Sequence, residues 1–273
     1  YDTTQVEINL VNNQLLTKNL EIAESSIKLN EVKISAAREA MRTEVNAAAI
    51  KITKKELEMV PTIGGDPDLA QYIQIIPGVV FTGDQGGQLY IRGGSPIQNK
   101  VLMDGMIIYS PFHSIGLFSV FASDAIRDLE LYKGGIPTRF GGRSASVLDI
   151  KMIEPNTDKF KMQGGIGLVS NRLLAEIPII KEKLSILVAG RLSVNDFMFK
   201  WFAPDYLKNL RANFSDVATK IYYRPNTKNT ISLSTYLSHD YYRVDSLFSN
   251  ENVVAQQTSF NYGHNNVAIH WNH

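Results

Sequence analysis

The chain has 273 residues, with 28 basic and 27 acidic side chains, a formal charge of +1 and no cysteine. Neither sign gathers into a long run, which excludes an electrostatic footprint for nucleic acid. The missing cysteine removes disulfides, thiolate metal sites and cysteine nucleophiles together. No run of about 18 or more uncharged apolar residues occurs, so no transmembrane helix is predicted and a passage through a membrane must rest on β-strands. The length predicts one or two domains with a real core. The first residue is Tyr1, and no amino-terminal segment joins a basic start to an apolar run and a small-residue cleavage site. A leader is therefore expected to be missing or already removed.

Residues 1–60 contain no glycine. Gln5 to Leu10 and Ile27 to Ile34 each alternate polar and apolar residues, which predicts two half-buried strands, too few to be stable alone. Residues 1–35 are expected to end a small β-sandwich. The Ala- and Lys-rich residues 36–59 are read as a tether, with an ordinary surface helix as the alternative.

The next zone holds 14 of the 19 glycines, between residues 64 and 152. Asp66-Pro67-Asp68 predicts a helix start with acids at the positive end of the helix dipole. Leu69, Tyr72, Ile73 and Ile76 then recur at helical spacing until Pro77-Gly78. Short apolar runs follow over Gln88 to Arg92, Lys100 to Met103, Ile126 to Tyr132 and Val147 to Lys151. Residues 60–155 are thus expected to form a small mixed sheet with packed helices. Asp104-Gly105 predicts a tight turn whose carboxylate accepts backbone N–H groups.

From Lys159 long alternating strands dominate: Lys161 to Ser170, Leu173 to Ile180, Leu184 to Leu192, Asp216 to Arg224, Thr230 to Asp240 and Ser259 to Trp271. In the fifth, one face is Ile231, Leu233, Thr235 and Leu237, and the other Ser232, Ser234, Tyr236 and Ser238. Lys220 and Arg224 likewise share the face opposite Val217, Ile221 and Tyr223. Connections are short over 170–172, 181–183 and 225–229 but long over 193–215 and 241–258. With the first strand leaving the periplasmic side, both long loops face outward, as in bacterial outer-membrane barrels. A soluble β-sandwich would alternate similarly, and periodicity alone leaves both open. Six strands cannot enclose a domain of about 90 residues, because plugged barrels use about 22, so more wall is expected than these residues supply.

The ordered series Ile76-Pro77-Gly78-Val79, Gln88-Leu89-Tyr90-Ile91-Arg92-Gly93-Gly94-Ser95, Val101-Leu102-Met103-Asp104-Gly105, Leu129 to Pro137 with Lys133-Gly134-Gly135, and Phe140-Gly141-Gly142-Arg143 resembles the plug domain of TonB-dependent outer-membrane receptors, of the Bacteroidetes type. The resemblance spans roughly Leu29 to Met152. It implies a mixed α+β plug domain followed by the first antiparallel strands of a transmembrane β-barrel, over 159–273. It also implies that 1–35 end a carboxypeptidase regulatory-like domain. Leu29, Asn30, Glu31, Val32, Lys33, Ile34 and Ser35 resemble a TonB-box-like segment, since an alternating strand on a tether can add to a partner's sheet edge. A last sandwich strand is the alternative. Arg92 and Arg143 become candidate plug-to-barrel charge contacts, and Gly93, Gly94, Asp104, Gly105, Gly134, Gly135, Gly141 and Gly142 mark the plug. The implied activity is TonB-dependent import of a ligand, with the plug gating the barrel. The alternative is a barrel subunit of a larger envelope complex that does not transport. Implied partners are TonB with its inner-membrane energising complex, outer-membrane lipid, an imported ligand and a surface lipoprotein.

No motif points to an enzyme, and no cofactor is implied. Gly93-Gly94-Ser95 lacks the Gly-Lys-Ser/Thr ending of a phosphate loop, and Gly165-Ile166-Gly167 lacks the third glycine of a dinucleotide fingerprint. The five histidines show no metal spacing; His264 and His270 are expected inside the barrel. Phe197, Phe199, Trp201, Phe202, Tyr206 and Phe214 are read as loop aromatics, serving an interfacial girdle or anchoring a ligand.

Overall fold

A computed structural model describes residues 49–59, 67–82, 87–113, 116, 118–167, 170–193, 201, 210–248 and 254–273, all within one unit that begins at Ala48. The expected amino-terminal strands, Leu29 to Ser35 and residues 36–48 lie outside the described residues.

The glycine-rich domain is a five-stranded mixed sheet in the order β1 (Ala49–Thr53), β6 (Ile126–Tyr132), β7 (Ser146–Met152), β4 (Asn99–Met103) and β5 (Met106–Ile107). Residues 49–59, expected as the end of a tether, instead form β1 and the short helix α1 (Lys54–Glu58), and β1 pairs antiparallel with β6. The physical reason is Ile52 and Leu57, which bury completely against the sheet and give this charged stretch an apolar anchor. β7 lies centrally and pairs parallel with β4 and antiparallel with β6. Its Val147, Leu148 and Ile150 are buried without alternation, the pattern of a strand covered on both faces.

Helix α2 (Leu69–Gln74) begins as the sequence predicts. Asp68 caps it, accepting from the Ala70 N–H at 2.7 Å. Leu69, Ala70 and Ile73 are buried, and Gly78 turns the chain out at φ +81°. A two-stranded hairpin of β2 (Val79–Thr82) and β3 (Gln88–Ile91) follows.

Six antiparallel strands make the second sheet in sequence order: β8 (Lys161–Ile166), β9 (Asn171–Ile180), β10 (Leu184–Ser193), β11 (Arg211–Asn226), β12 (Asn229–Phe248) and β13 (Val254–Asn272). The expected facial segregation holds. Val217, Ile231, Leu237, Val267, Ile269 and Trp271 are exposed on the outer face. Leu174, Leu187, Ala189, Ala218 and Tyr236 point the other way and join the apolar core of the glycine-rich domain. That domain therefore sits against the inner face of this wall through apolar as well as polar contacts.

The expected loops at 193–215 and 241–258 are shorter in the structure, because β11 begins at Arg211, β12 runs on to Phe248 and β13 starts at Val254. At 20 residues β12 extends about 66 Å, well beyond an apolar band about 25 Å tall. Outside such a band neither face must be apolar, so ladder hydrogen bonds continue the strand after alternation has faded. Phe214, expected in the loop, lies in β11 instead, buried. The opposite connections are tight, with residues 181–183 joining β9 to β10 and 227–228 joining β11 to β12.

Candidate functional site

The buried ionic groups concentrate where the glycine-rich domain meets the wall. The first cluster is built on Asp104. Residues Asp104 and Gly105 form the two-residue link between β4 and β5, with φ of +44° and +75°. Asp-Gly suits such a primed turn because aspartate tolerates the left-handed region and glycine prefers it. The turn also tolerates no side chain at Gly105, since a Cβ there would meet the His270 ring at 3.1 Å. The Asp104 carboxylate accepts from the Met152 N–H of β7 at 3.1 Å, a donor distant in sequence and not one of the turn's own. It also reaches two wall strands. Ser234 of β12 donates its hydroxyl at 2.8 Å, and the Lys220 ammonium of β11 stands 3.0 Å away. His270 of β13 approaches the Asp104 carbonyl at 2.7 Å. Both Asp104 and Lys220 are buried.

A second cluster lies farther from the tight turns. Arg191 of β10 pairs with Asp216 of β11 at 2.8 Å and with Asp68, the α2 cap, at 3.6 Å. It also donates to the Ser119 carbonyl at 2.7 Å. His113 sits between wall strands, its Nε2 3.1 Å from Asp216 and its Nδ1 2.9 Å from Asp240 of β12. Its ring stacks on Phe214 with centroids 3.7 Å apart, which explains the burial of an aromatic that the sequence had assigned to a loop. The Asp68 carboxylate additionally accepts from the Ser119 N–H at 2.9 Å. Burial pushes its pKa above the ordinary carboxylate range, outweighing Arg191 and the N–H donors. Burial would lower the His113 pKa, but the hydrogen bonds to Asp216 and Asp240 raise it above the usual imidazole value. A half-buried pair at one side, Arg172 of β9 with Asp124 at 3.1 Å, completes the seam.

The sequence-stated candidates fall unevenly. Asp104 and Gly105 are at the seam, as are His264 and His270 on the inner face of β13. Arg92 is exposed at φ +50°, and its guanidinium reaches Gly134 of the same domain, where an added Cβ would lie 2.8 Å from it. Gly93 completes the turn with Arg92, and Gly94 lies where a Cβ would collide with Ala145. Gly135 and Gly142 have positive φ, and the Gly141 carbonyl accepts from Lys100 at 2.9 Å. Arg143 is exposed beside a cleft of about 530 Å³ between the glycine-rich domain and β13, shared with Tyr90, Lys100, Tyr109, Phe260 and Tyr262. Among the described residues, three ion pairs across the seam run the other way round from expectation, with Asp124, Asp68 and Asp104 on the inner domain and Arg172, Arg191 and Lys220 on the wall, whereas His113 of the inner domain meets Asp216 and Asp240 of the wall in the expected sense. Sequence reasoning missed His113, Asp68, Arg191 and Asp216. The available signal was charge on the inward parity of otherwise apolar strands, as at Arg191 beside Ala189 and Asp216 beside Ala218.

Comparison with known proteins agrees with this architecture. Residues 42–147 match the family model described as the TonB-dependent receptor plug domain. A search of curated protein sequences finds no match. Among solved structures, the siderophore receptor PirA from Acinetobacter baumannii superposes with a TM-score of 0.54 at 20% identity, covering 76% of this chain and 33% of that one. A variant of the ferric enterobactin receptor from Pseudomonas aeruginosa gives 0.52 at 18%, covering 77% and 36%. The outer membrane transporter YddB from Escherichia coli gives 0.53 at 13%, covering 82% and 36%. The chain thus spans about a third of the length of each of these proteins.

Proposed function

We propose, for a chain that belongs to the TonB-dependent receptors through its plug domain and the wall strands folded around it, active import of a ligand across the bacterial outer membrane, with the plug as the gate. The observation that carries the reading is the seam. Four acidic or imidazole groups of the plug, Asp68, Asp104, His113 and Asp124, engage charged groups on β9 to β12. Such contacts fix the plug in one position, and each is exchangeable for water when the plug moves. The apolar contacts of Leu174, Leu187 and Ala189 with the plug core oppose that motion and keep the resting gate shut.

Work on the gate comes from TonB, which in this reading grips Leu29 to Ser35 by strand addition in the periplasm and draws on its inner-membrane energising complex. The short turns at 181–183 and 227–228 face the periplasm, and the extended β12–β13 hairpin rises outside. Arg143 then stands with aromatic residues in a cleft of about 530 Å³, a volume suited to a small solute. By likeness to the siderophore receptors, the cargo class is a metal-bound chelate. Arg143 is retained as a contact to the wall or to that cargo.

The test is deletion of Leu29 to Ser35 in the full-length receptor. Expected are a barrel that still assembles in the outer membrane, loss of crosslinking to TonB, and loss of growth on ferric chelates as the sole iron source. Growth and crosslinking at wild-type levels would refute the reading. The alternative, a non-transporting subunit of an envelope complex, predicts unchanged growth and loss of a co-purifying assembly when the wall is disrupted.

A further inference from the structure

His113 is held by geometry that only one of its protonation states satisfies in full. Each ring nitrogen faces a carboxylate oxygen, Nδ1 that of Asp240 at 2.9 Å and Nε2 that of Asp216 at 3.1 Å. Ionised carboxylates only accept, so both bonds exist together only when both nitrogens donate, in the imidazolium. A neutral ring could donate to Asp240 and accept from Arg191, whose terminal nitrogen is 3.2 Å from Nε2. That arrangement leaves an Asp216 oxygen facing a lone pair.

The surroundings favour the charged ring. From β10 comes Arg191, from β11 Asp216 and the stacked Phe214, from β12 Asp240 and Tyr236, from β13 His264, and from the cap of α2 Asp68. Among the described residues, Asp216 and Asp240 meet the two ring nitrogens directly, while Arg191 is shared among His113, Asp216 and Asp68. The same stretch of plug is tied to the wall just before the ring, where Tyr262 of β13 donates to the Phe112 carbonyl at 3.1 Å, and is closed on itself by the Val120 N–H, which donates to the Pro111 carbonyl at 3.0 Å.

We propose that His113 is a proton-dependent latch: as an imidazolium it bridges β11 and β12 and locks the plug to the wall, and when it loses a proton the plug is freed to move. Once the plug leaves the wall, the ring meets water and returns to its ordinary pKa of about 6.5. The docked ring, raised above that value by its carboxylates, keeps its proton to higher pH. Docking is therefore strongest and pH-independent below about 6.5, weakens by up to about tenfold per pH unit above it, and levels off once the docked ring also titrates. Undocking in that window releases a proton. The latch acts on the gate proposed above and rests on that reading only in taking the plug as able to leave the wall.

The experiment is hydrogen exchange of the peptide containing His113 and Val120 in the full-length receptor in lipid bilayers, corrected for intrinsic rates, from about pH 5.5 to about pH 9. Wild-type protection should be level at first and then fall by up to about tenfold per unit. His113→Gln should give a flat, lower profile, and Asp240→Asn should move the step to lower pH. A wild-type profile without a step, or a His113→Gln profile with the wild-type slope, would overturn the latch. Should His113→Gln fail to assemble, Asp240→Asn decides: an unmoved step rejects the proposal. Exchange reports docking without transport, so failure of the latch leaves the import test standing, and failure of import leaves the latch standing.

Discussion

Replacing Lys220 by methionine isolates the ion pair beneath the Asp104 turn. The ammonium is 3.0 Å from Oδ2 of Asp104 and 3.4 Å from the Met152 carbonyl, and the lysine is only 7% exposed. Methionine keeps the stem's volume and removes the charge. Asp104, 4% exposed, then retains the Met152 N–H and the Ser234 hydroxyl but no cation. Stranding one charge of a buried pair costs about 3–5 kcal/mol, so Lys220→Met should weaken plug docking by at least about 100-fold. Asp104→Asn tolerates the same positive φ and leaves Lys220 stranded instead, at a comparable cost. The double variant strands neither group and should recover about 2 kcal/mol or more relative to the sum of the singles. The assay is hydrogen exchange at the β4–β5 turn and Met152 in the bilayer-embedded receptor. Additive effects, with a coupling below about 0.5 kcal/mol, would refute the claim that this pair joins plug to wall.

Two further outcomes follow from the same geometry. Gly105→Val should destabilise the plug by at least about 1–2 kcal/mol, since a β-branched residue is forced to φ +75° and its Cβ meets His270; thermal melting of the purified receptor measures it. Leu237→Arg, on the outer face of β12, should cost about 2–4 kcal/mol near the middle of the membrane and lower the heat-modifiable folded fraction on gels, whereas Lys228→Glu in the tight turn should leave it unchanged.

How much of this was legible in the chain varies by element. The α2 start at Asp68, the Asp104-Gly105 turn and the two faces of β12 follow from local rules, because capping, φ preference and period-2 alternation act over a few residues. The start of the plug was less legible. Residues 49–59 are charged enough to pass for linker, and only their pairing with β6, distant in sequence, makes them sheet. Phe214 and the far ends of β12 and β13 were read as loop for a related reason. In the first case a histidine from another domain supplies the partner, and in the second a ladder persists where no apolar face demands it.

By itself, then, the order of residues determined the central stretches of the wall strands, where the short turns between them fall, and that a glycine-punctuated domain precedes an alternating wall. The pairing of charges across the seam belongs to tertiary structure alone. Asp104 and Lys220 are 116 residues apart and His113 and Asp240 are 127 apart, and inward parity along a strand does not say which distant group a charge meets. A buried charge is stable only beside its partner. Which partner that is depends on how the plug is set inside the wall, a relation that no short-range propensity encodes.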